Sequence, residues 1–406
     1  MVYVQDIDGK PLMPTTRHGK VRRLLKANKA TVVNLCPFTI QLTYKSTDHK
    51  QPVTLGIDAG AKHIGFSATT EKEELFACET ILRTDIVDLL STRSQNRRTR
   101  RSRLRYRKPK FNNRVFSKKK GWVAPSVKQR IDSHLNEVNE IHKILPITKI
   151  VIEAAQFDTH KMKNPNISGI DYQNGEQLGF WNVREYVLFR DGHKCSYCKG
   201  KSKDPILNIH HIESRKTGGD SPSNLITLCE TCHKEYHKGN IDLKVRRGKS
   251  LCGAAIMGIM KWRLYDELKS RYSNVSMTFG YITKYNRIKY GIEKSHTSDA
   301  FVISKNFNAK RIEYQYLKRL VRRHNRQIHK MKILKGGKKK NNQAPFEVFG
   351  FRLFDKVLYN NEINFIYGRR KSGNFNIRDF NGENPKDVSY KKLKLIRGKR
   401  HPIILK

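Results

Sequence analysis

"VTLGIDAGAKHIGFSATT", residues 53–70, joins two apolar runs through a glycine-containing turn. Gly56, Gly60 and Gly65 punctuate the runs, so the stretch reads as strand, turn, strand: a β-hairpin with Asp58 at the end of its first strand. A second acid, Glu153, lies inside "KIVIEAAQ" (149–156), which reads as a buried strand. An unpaired carboxylate there is costly, so Glu153 is expected to be paired or to bind metal. A third, Asp299, lies in "SHTSDAFVIS" (295–304), where a helix begins near His296. Val127, Ile131, Leu135, Val138, Ile141 and Leu145 recur at helical spacing and predict an amphipathic helix that Pro146 ends. Leu251 to Tyr272 reads as a helix and Val275 to Tyr281 as a strand. If one α/β unit gathers the three acids, they can hold two Mg²⁺ ions about 4 Å apart and clamp both oxygens of a phosphoryl transfer. His296, three residues before Asp299 and on its helix face, is placed to activate water.

The surroundings are strongly basic. Lys and Arg number 82 against 36 Asp and Glu, a net charge of +46, which makes nucleic acid the fitting partner. No apolar run approaches the roughly 20 residues of a spanning helix, and the N-terminus lacks a signal-peptide core. The expectation is a cytoplasmic protein with no membrane partner. At 406 residues the chain should form two to four units of roughly 100 to 200 residues each. From Arg93 to Lys120, 14 of 28 residues are Lys or Arg and none is acidic. This run continues a helix begun near Asp85 and stopped by Pro109, roughly 36 Å long. Residues 1–50 combine a basic helical stretch, Arg17 to Lys26, with β-branched strand material. Near the other end, "KGGKKKNNQ" (335–343) reads as a linker, and the alternation in 346–379 predicts a small antiparallel sheet.

"NIHHIESRKTGGDSPSNLITLCETCHKEYH" (208–237) is different in kind. Cys195 and Cys198, then Cys229 and Cys232, form two C-x-x-C knuckles separated by thirty residues, the pattern of a tetrahedral structural zinc site. Cys36, Cys78 and Cys252 stand alone. Adjacent His210 and His211 on a strand point to opposite faces, so one can bind metal while the other acts as base. A zinc ribbon with incidental histidines is the plainer alternative, though a ribbon does not require His-His and Asn224 at these offsets.

This histidine pattern resembles the HNH nuclease motif, a β-hairpin crossed by a helix around one metal. The resemblance makes His211 the general base, His210 and His233 metal ligands, His237 a further ligand, and Asn224 the residue that fixes the hairpin. "GIDAGAKHIGFS", "IVIEAAQFD" and "HTSDAFVI" resemble the three motifs of RuvC-type nucleases of the RNase H fold. A split RuvC nuclease with an inserted HNH domain and an arginine-rich helix resembles the layout of type II RNA-guided CRISPR effectors. "KPLMPT" (10–15) resembles the signature of the PLMP domain of the IscB family, and the chain is identified as a resembling member of that transposon-encoded family.

That resemblance implies an α/β multidomain protein: PLMP domain 1–50, RuvC segments 51–84, 126–157 and 250–310, and a bridge helix at 85–125. HNH would occupy 158–249, and 311–406 would be linker and a β-rich C-terminal domain contacting RNA and the target-adjacent motif. It implies an RNA-guided, metal-dependent DNA endonuclease using omega RNA, one protein per RNA, on double-stranded DNA bearing an adjacent motif. HNH would cut the guide-paired strand and RuvC the displaced one, with two Mg²⁺ in RuvC, one in HNH, and structural Zn²⁺. Asp58, Glu153 and Asp299 would ligate the RuvC ions, with His296 assisting. Arg97, Arg98, Arg100, Arg101, Arg103, Arg105 and Arg107 would grip guide phosphates; Arg369, Arg370 and Lys371 would contact nucleic acid. Residues 126–149 leave room for one helix before the second RuvC motif, so a folded RNA is expected in place of a protein recognition lobe. Two other readings are a homing-type HNH endonuclease acting without RNA and a transposon-associated RNA-binding scaffold with vestigial nuclease sites.

Overall fold

The computed structural model describes residues 1–104, 121–154, 177–214, 218–246, 252–322, 345–398 and 403–405. It divides into two compact units, Met1–Ala155 with Gly258–Lys406, and Gln156–Met257. The larger unit opens with β1 (Tyr3–Gln5), α1 (His18–Lys26), β2 (Ala30–Leu35) and β3 (Phe38–Leu42). These strands form a sheet in the order β1-β3-β2, whose core includes Val2, Val4, Leu12, Val21, Ile40 and Leu42. Val21, Leu24 and Leu25 share one face of α1 and pack on that core, while Lys20, Arg22, Arg23 and Lys26 are exposed.

The central sheet begins with β4 (Thr54–Ala59), β5 (His63–Thr69) and β6 (Glu74–Ile81), antiparallel to one another in turn. The predicted hairpin is β4 and β5. Helix α2 (Ile86–Leu104) follows, then α3 (Pro125–His142) and β7 (Lys149–Ala154). Pro125 opens α3 at its first turn, where the missing N–H costs nothing. The helix closes at His142, short of Pro146, although Leu145 is still fully buried beyond it.

The second unit contributes α4 (Val183–Arg190), β8 (Leu207–His211), β9 (Leu225–Cys229) and α5 (Glu230–Lys238). Then α6 (Cys252–Arg271), β10 (Val275–Phe279), α7 (Gly280–Lys289), α8 (His296–Ser304) and β11 (Tyr316–Arg319) follow in the chain. The predicted strand to Tyr281 ends at Phe279, and an unpredicted helix starts at Gly280.

Strand order in the central sheet is β10-β7-β4-β5-β6-β11-β19, with β19 at Ile403–Leu405. Parallel pairing of β10 with β7 and β7 with β4, beside the antiparallel β4-β5-β6 meander, covers one face with α8. β11 runs parallel to β6, and β19 antiparallel to β11, so residues beyond 310 belong partly to this sheet and not wholly to a separate C-terminal segment. The buried Lys318–Glu137 pair, 3.1 Å apart, fixes β11 to α3. Its charges are mutually compensated, which buried ions require.

Between them lies a second sheet in the order β17-β16-β15-β14-β18: β14 (Lys356–Tyr359), β15 (Glu362–Arg369), β16 (Asn374–Arg378), β17 (Lys386–Ser389) and β18 (Lys394–Arg397). Two short strands, β12 (Glu347–Val348) and β13 (Phe351–Arg352), precede it. Val357, Ile366, Phe375, Ile377 and Val388 are its inward residues, and Phe351 of β13 packs into the same core. The expected antiparallel sheet at 346–379 thus runs on to Arg397.

Candidate functional site

The three acids meet at one end of the central sheet. Ile57 pairs with Ile152 across β4 and β7, so the next residues, Asp58 and Glu153, stand level on adjacent strands. Asp58 shares its strand face with Gly56, two residues earlier, and lies opposite Gly65 of β5. A Cβ at Gly56 would collide with the Ala300 carbonyl, and one at Gly65 with that of His296. The missing side chains let α8 lie directly on β4 and β5. Ser295 caps the helix by accepting the Ser298 N–H at 3.0 Å. His296 Nδ1 then falls 2.7 Å from Asp58 Oδ2. Asp299 is one turn further along, and the Arg287 Nε of α7 lies 3.2 Å from its Oδ1. Glu153 accepts a hydrogen bond from the buried Lys261 Nζ at 3.0 Å.

Electrostatics record the convergence. Burial raises the Asp299 pKa, the charge of Asp58 raises it further, Arg287 opposes, and Glu153 adds to the rise. The Asp58 hydrogen bond raises the His296 pKa against the effect of burial. Ligand atoms of the three acids do not all come within 4.8 Å of one another, unlike three other groups among the described residues. Each acid instead holds a protein cation or imidazole. Sequence reading missed four participants: Lys261, Arg287, His63 and Glu79. The His63 ring stacks on His296 with centroids 5.1 Å apart, and its Nδ1 lies 2.7 Å from Glu79 Oε1. The Asp58 hairpin carried a signal for His63; Lys261 and Arg287 look in sequence like surface cations.

In the second unit, β8 and β9 pair antiparallel with His210 opposite Ile226, and α5 follows β9 directly. His210 is buried, and its Nε2 has no hydrogen-bond partner. His233 and His237, one turn apart on α5, turn toward it: their Nε2 atoms lie 3.3 Å apart, and the three rings offer nitrogens within 4.8 Å of one another. Burial, then the charges of His233 and His237, depress the His210 pKa to about 4; burial and His237 depress His233. Neutral imidazoles converging on an orphaned buried nitrogen are a donor set suited to a cation. His211 points the other way, with Nε2 2.9 Å from Asp220 Oδ1. Asn224 is fully buried; its Oδ1 accepts from the Glu213 N–H and its Nδ2 donates to the carbonyls of Glu213 and Gly219. The Asp220 partnership had no signal beyond the loop position of that acid.

Cys195, Cys198, Cys229 and Cys232 bring four sulfurs within 4.8 Å of one another, Cys198 and Cys229 at 3.9 Å. Zn–S bonds of about 2.3 Å at tetrahedral angles separate sulfurs by roughly 3.8 Å, so the cluster fits zinc. The Ser202 hydroxyl, 3.3 Å from Cys198 Sγ, helps hold that thiol down to about 6.

The basic contacts divide. Arg97 is exposed on α2; Arg98, Arg100, Arg101 and Arg103 belong to that helix, but their side chains, together with Arg105 and Arg107, lie outside the described residues, as does the linker at 335–343. Arg369 is engaged within the fold. Its Nη1 donates to the Phe346 and Phe351 carbonyls at 2.6 and 2.9 Å, and its Nη2 to Pro345 at 3.0 Å. Those donors staple residues 345–351, which gives Arg369 a structural role in this fold. Arg370, paired with Asp387 at 3.1 Å, and Lys371 remain exposed.

Residues 2–175 match the RRXRR protein family, and residues 195–239 match the HNH endonuclease family. Anaredoxin of Nostoc sp. (strain PCC 7120) is 31% identical over 67 residues, 16% of this chain and 84% of that protein. Among solved structures, Streptococcus thermophilus Cas9 in complex with the AGAA PAM is similar at 14% identity and a TM-score of 0.33, covering 46% of this chain and 26% of that one. The Type II-C Cas9 enzyme of Actinomyces naeslundii is similar at 12% identity and a TM-score of 0.25, covering 63% and 60%. The chain spans about a quarter of the length of the first. An α/β core carrying an HNH endonuclease domain with a four-cysteine cluster defines the class: a nuclease. The RRXRR and HNH matches together support an IscB/Cas9-like nuclease. Among the described residues no helix is long and apolar enough to cross a membrane.

Proposed function

We propose that this chain is an RNA-guided DNA endonuclease with two cutting centres: a split RuvC-type centre on the RNase H-like sheet and an HNH centre in the unit Gln156–Met257. One observation carries the reading: Asp58 and Glu153 stand level on neighbouring strands while α8 brings Asp299 close enough for both to raise its pKa. Asp58, Glu153 and Asp299 would hold Mg²⁺ in exchange for Lys261 and Arg287, and His210, His233 and His237 would hold one ion at the HNH centre. Bound divalent metal supplies Lewis acidity toward the scissile phosphate. The chain's own groups do the rest. With its Nε2–H donated to Asp220, His211 keeps a lone pair on Nδ1 that takes the proton of the attacking water. Asn224 keeps that loop in place. His296, hydrogen-bonded to Asp58, is the corresponding proton-handling group of the first centre. Zinc on the four cysteines is structural, since four thiolates leave no open position.

Guide omega RNA would lie along the arginine-rich segment begun by α2, with Arg370 and Lys371 near nucleic acid at the C-terminal sheet. Base pairing would select the target, with HNH cutting the guide-paired strand and RuvC the displaced strand. Strand-resolved cleavage of a plasmid matching the guide tests this. His211→Ala should leave only the displaced strand cut, and Asp58→Ala only the paired strand. Loss of both cuts in either variant breaks the two-centre reading, and no cleavage by the native complex favours a scaffold.

A further inference from the structure

Helix α7 is built inside out. Tyr281, Tyr285 and Ile288 follow i, i+4, i+7 spacing and share one face, yet they are 72%, 65% and 63% exposed. Phe279, just before the helix, is 37% exposed with its ring parallel to that of Tyr281, centroids 6.0 Å apart. Large apolar side chains clustered on a surface mark an interaction site. The inward face is committed to the carboxylate centre: Thr283 is buried, Arg287 pairs with Asp299, and a Cβ at Gly280 would lie 3.4 Å from Glu153 Oε1. The outward rings therefore ride on the element that borders two of the three acids.

We infer that this face is a stacking platform for an unpaired DNA strand entering the carboxylate centre, an inference that rests on reading that centre as a nuclease. Charge identifies the occupant. Helix α7 carries Lys284, Arg287 and Lys289 and no acid, with Lys284 exposed between the two tyrosines. A protein surface covering the rings would desolvate that ammonium at a cost. A polynucleotide supplies bases for the rings and phosphates for the lysines at once. Flat aromatic side chains accept any base, as a strand of arbitrary sequence requires.

The test is a binding cycle with the full-length protein in divalent-free buffer, using a fluorescein-labelled unpaired oligothymidylate and a matched strand of abasic residues. Tyr281→Ser with Tyr285→Ser should weaken the oligothymidylate about tenfold or more, whereas the double Tyr→Phe variant binds within about twofold of wild type. On the abasic strand the serine variant and wild type should bind alike. The salt dependence should not change, since no charge is removed. Equal binding of oligothymidylate by the serine variant overturns the inference, as does an equal loss on both strands. Tight, tyrosine-dependent binding without Asp58-dependent cleavage would instead sustain the platform and remove the nuclease reading.

Discussion

Lys261 shows why a site residue can be invisible in sequence. Within "MKWRLYDEL" it is one cation among several on a long helix, yet its ammonium is buried against Glu153. Glu153 itself was legible, because a carboxylate in an apolar strand demands a partner; which partner depends on how α6 packs, and no local pattern encodes that. A lone buried carboxylate left by Lys261→Met should lower the stability of the metal-free protein by about 3 kcal/mol. Mg²⁺ should then restore more stability to the variant than to wild type, because the competing ammonium is gone. Thermal unfolding with and without Mg²⁺ measures both effects, and identical Mg²⁺ responses would show that Lys261 does not compete for the site. Arg369 shows the converse: the basic "GRRKSG" run suggested nucleic acid, and packing adds a structural role, with three backbone carbonyls taking donors of its guanidinium.

At the scale of elements, the sequence was most readable where burial is two-sided or periodic. The β4-β5 hairpin, α3, β7 and α6 all follow from apolar patterning, and α8 starts where a helix was expected, near His296. Helix α7 was missed because its apolar residues face outward and the strand reading of β10 was carried through Gly280 to Tyr281. β11 and β19 are short, and pairing rather than composition makes them strands. The seating of α8 depends on two absent side chains. Gly65→Ala should push the helix off β5, separate His296 and Asp299 from Asp58, and cut Asp58-dependent strand cleavage at least tenfold. Cleavage dependent on His211 should continue, which distinguishes a displaced helix from global unfolding. Wild-type rates on both strands would show that the backbone yields elsewhere.

For the whole molecule, charge dominates. A net +46 over 406 residues is self-repulsive unless neutralised. The protein should therefore co-purify with RNA, and ribonuclease digestion should lower its unfolding temperature. A nucleic-acid-free monomer of undiminished stability, fully active with a bare short guide, would refute the dependence. Composition alone made nucleic acid the expected partner; which strand each proposed centre would cut is not encoded in composition, and the cleavage assay addresses it.

β11 and β19 are nearest neighbours in the central sheet, and the chain between them builds the five-stranded sheet before returning. The excursion thus starts and finishes at adjoining points on one scaffold, the arrangement of an exchangeable cassette. Evolution or an engineer could swap residues 345–398 for a relative's without rewiring either centre, provided Ile403–Leu405 still zips onto β11. Trimming that strand would instead make β11 the edge of the sheet and cut the tie that returns the excursion to the scaffold.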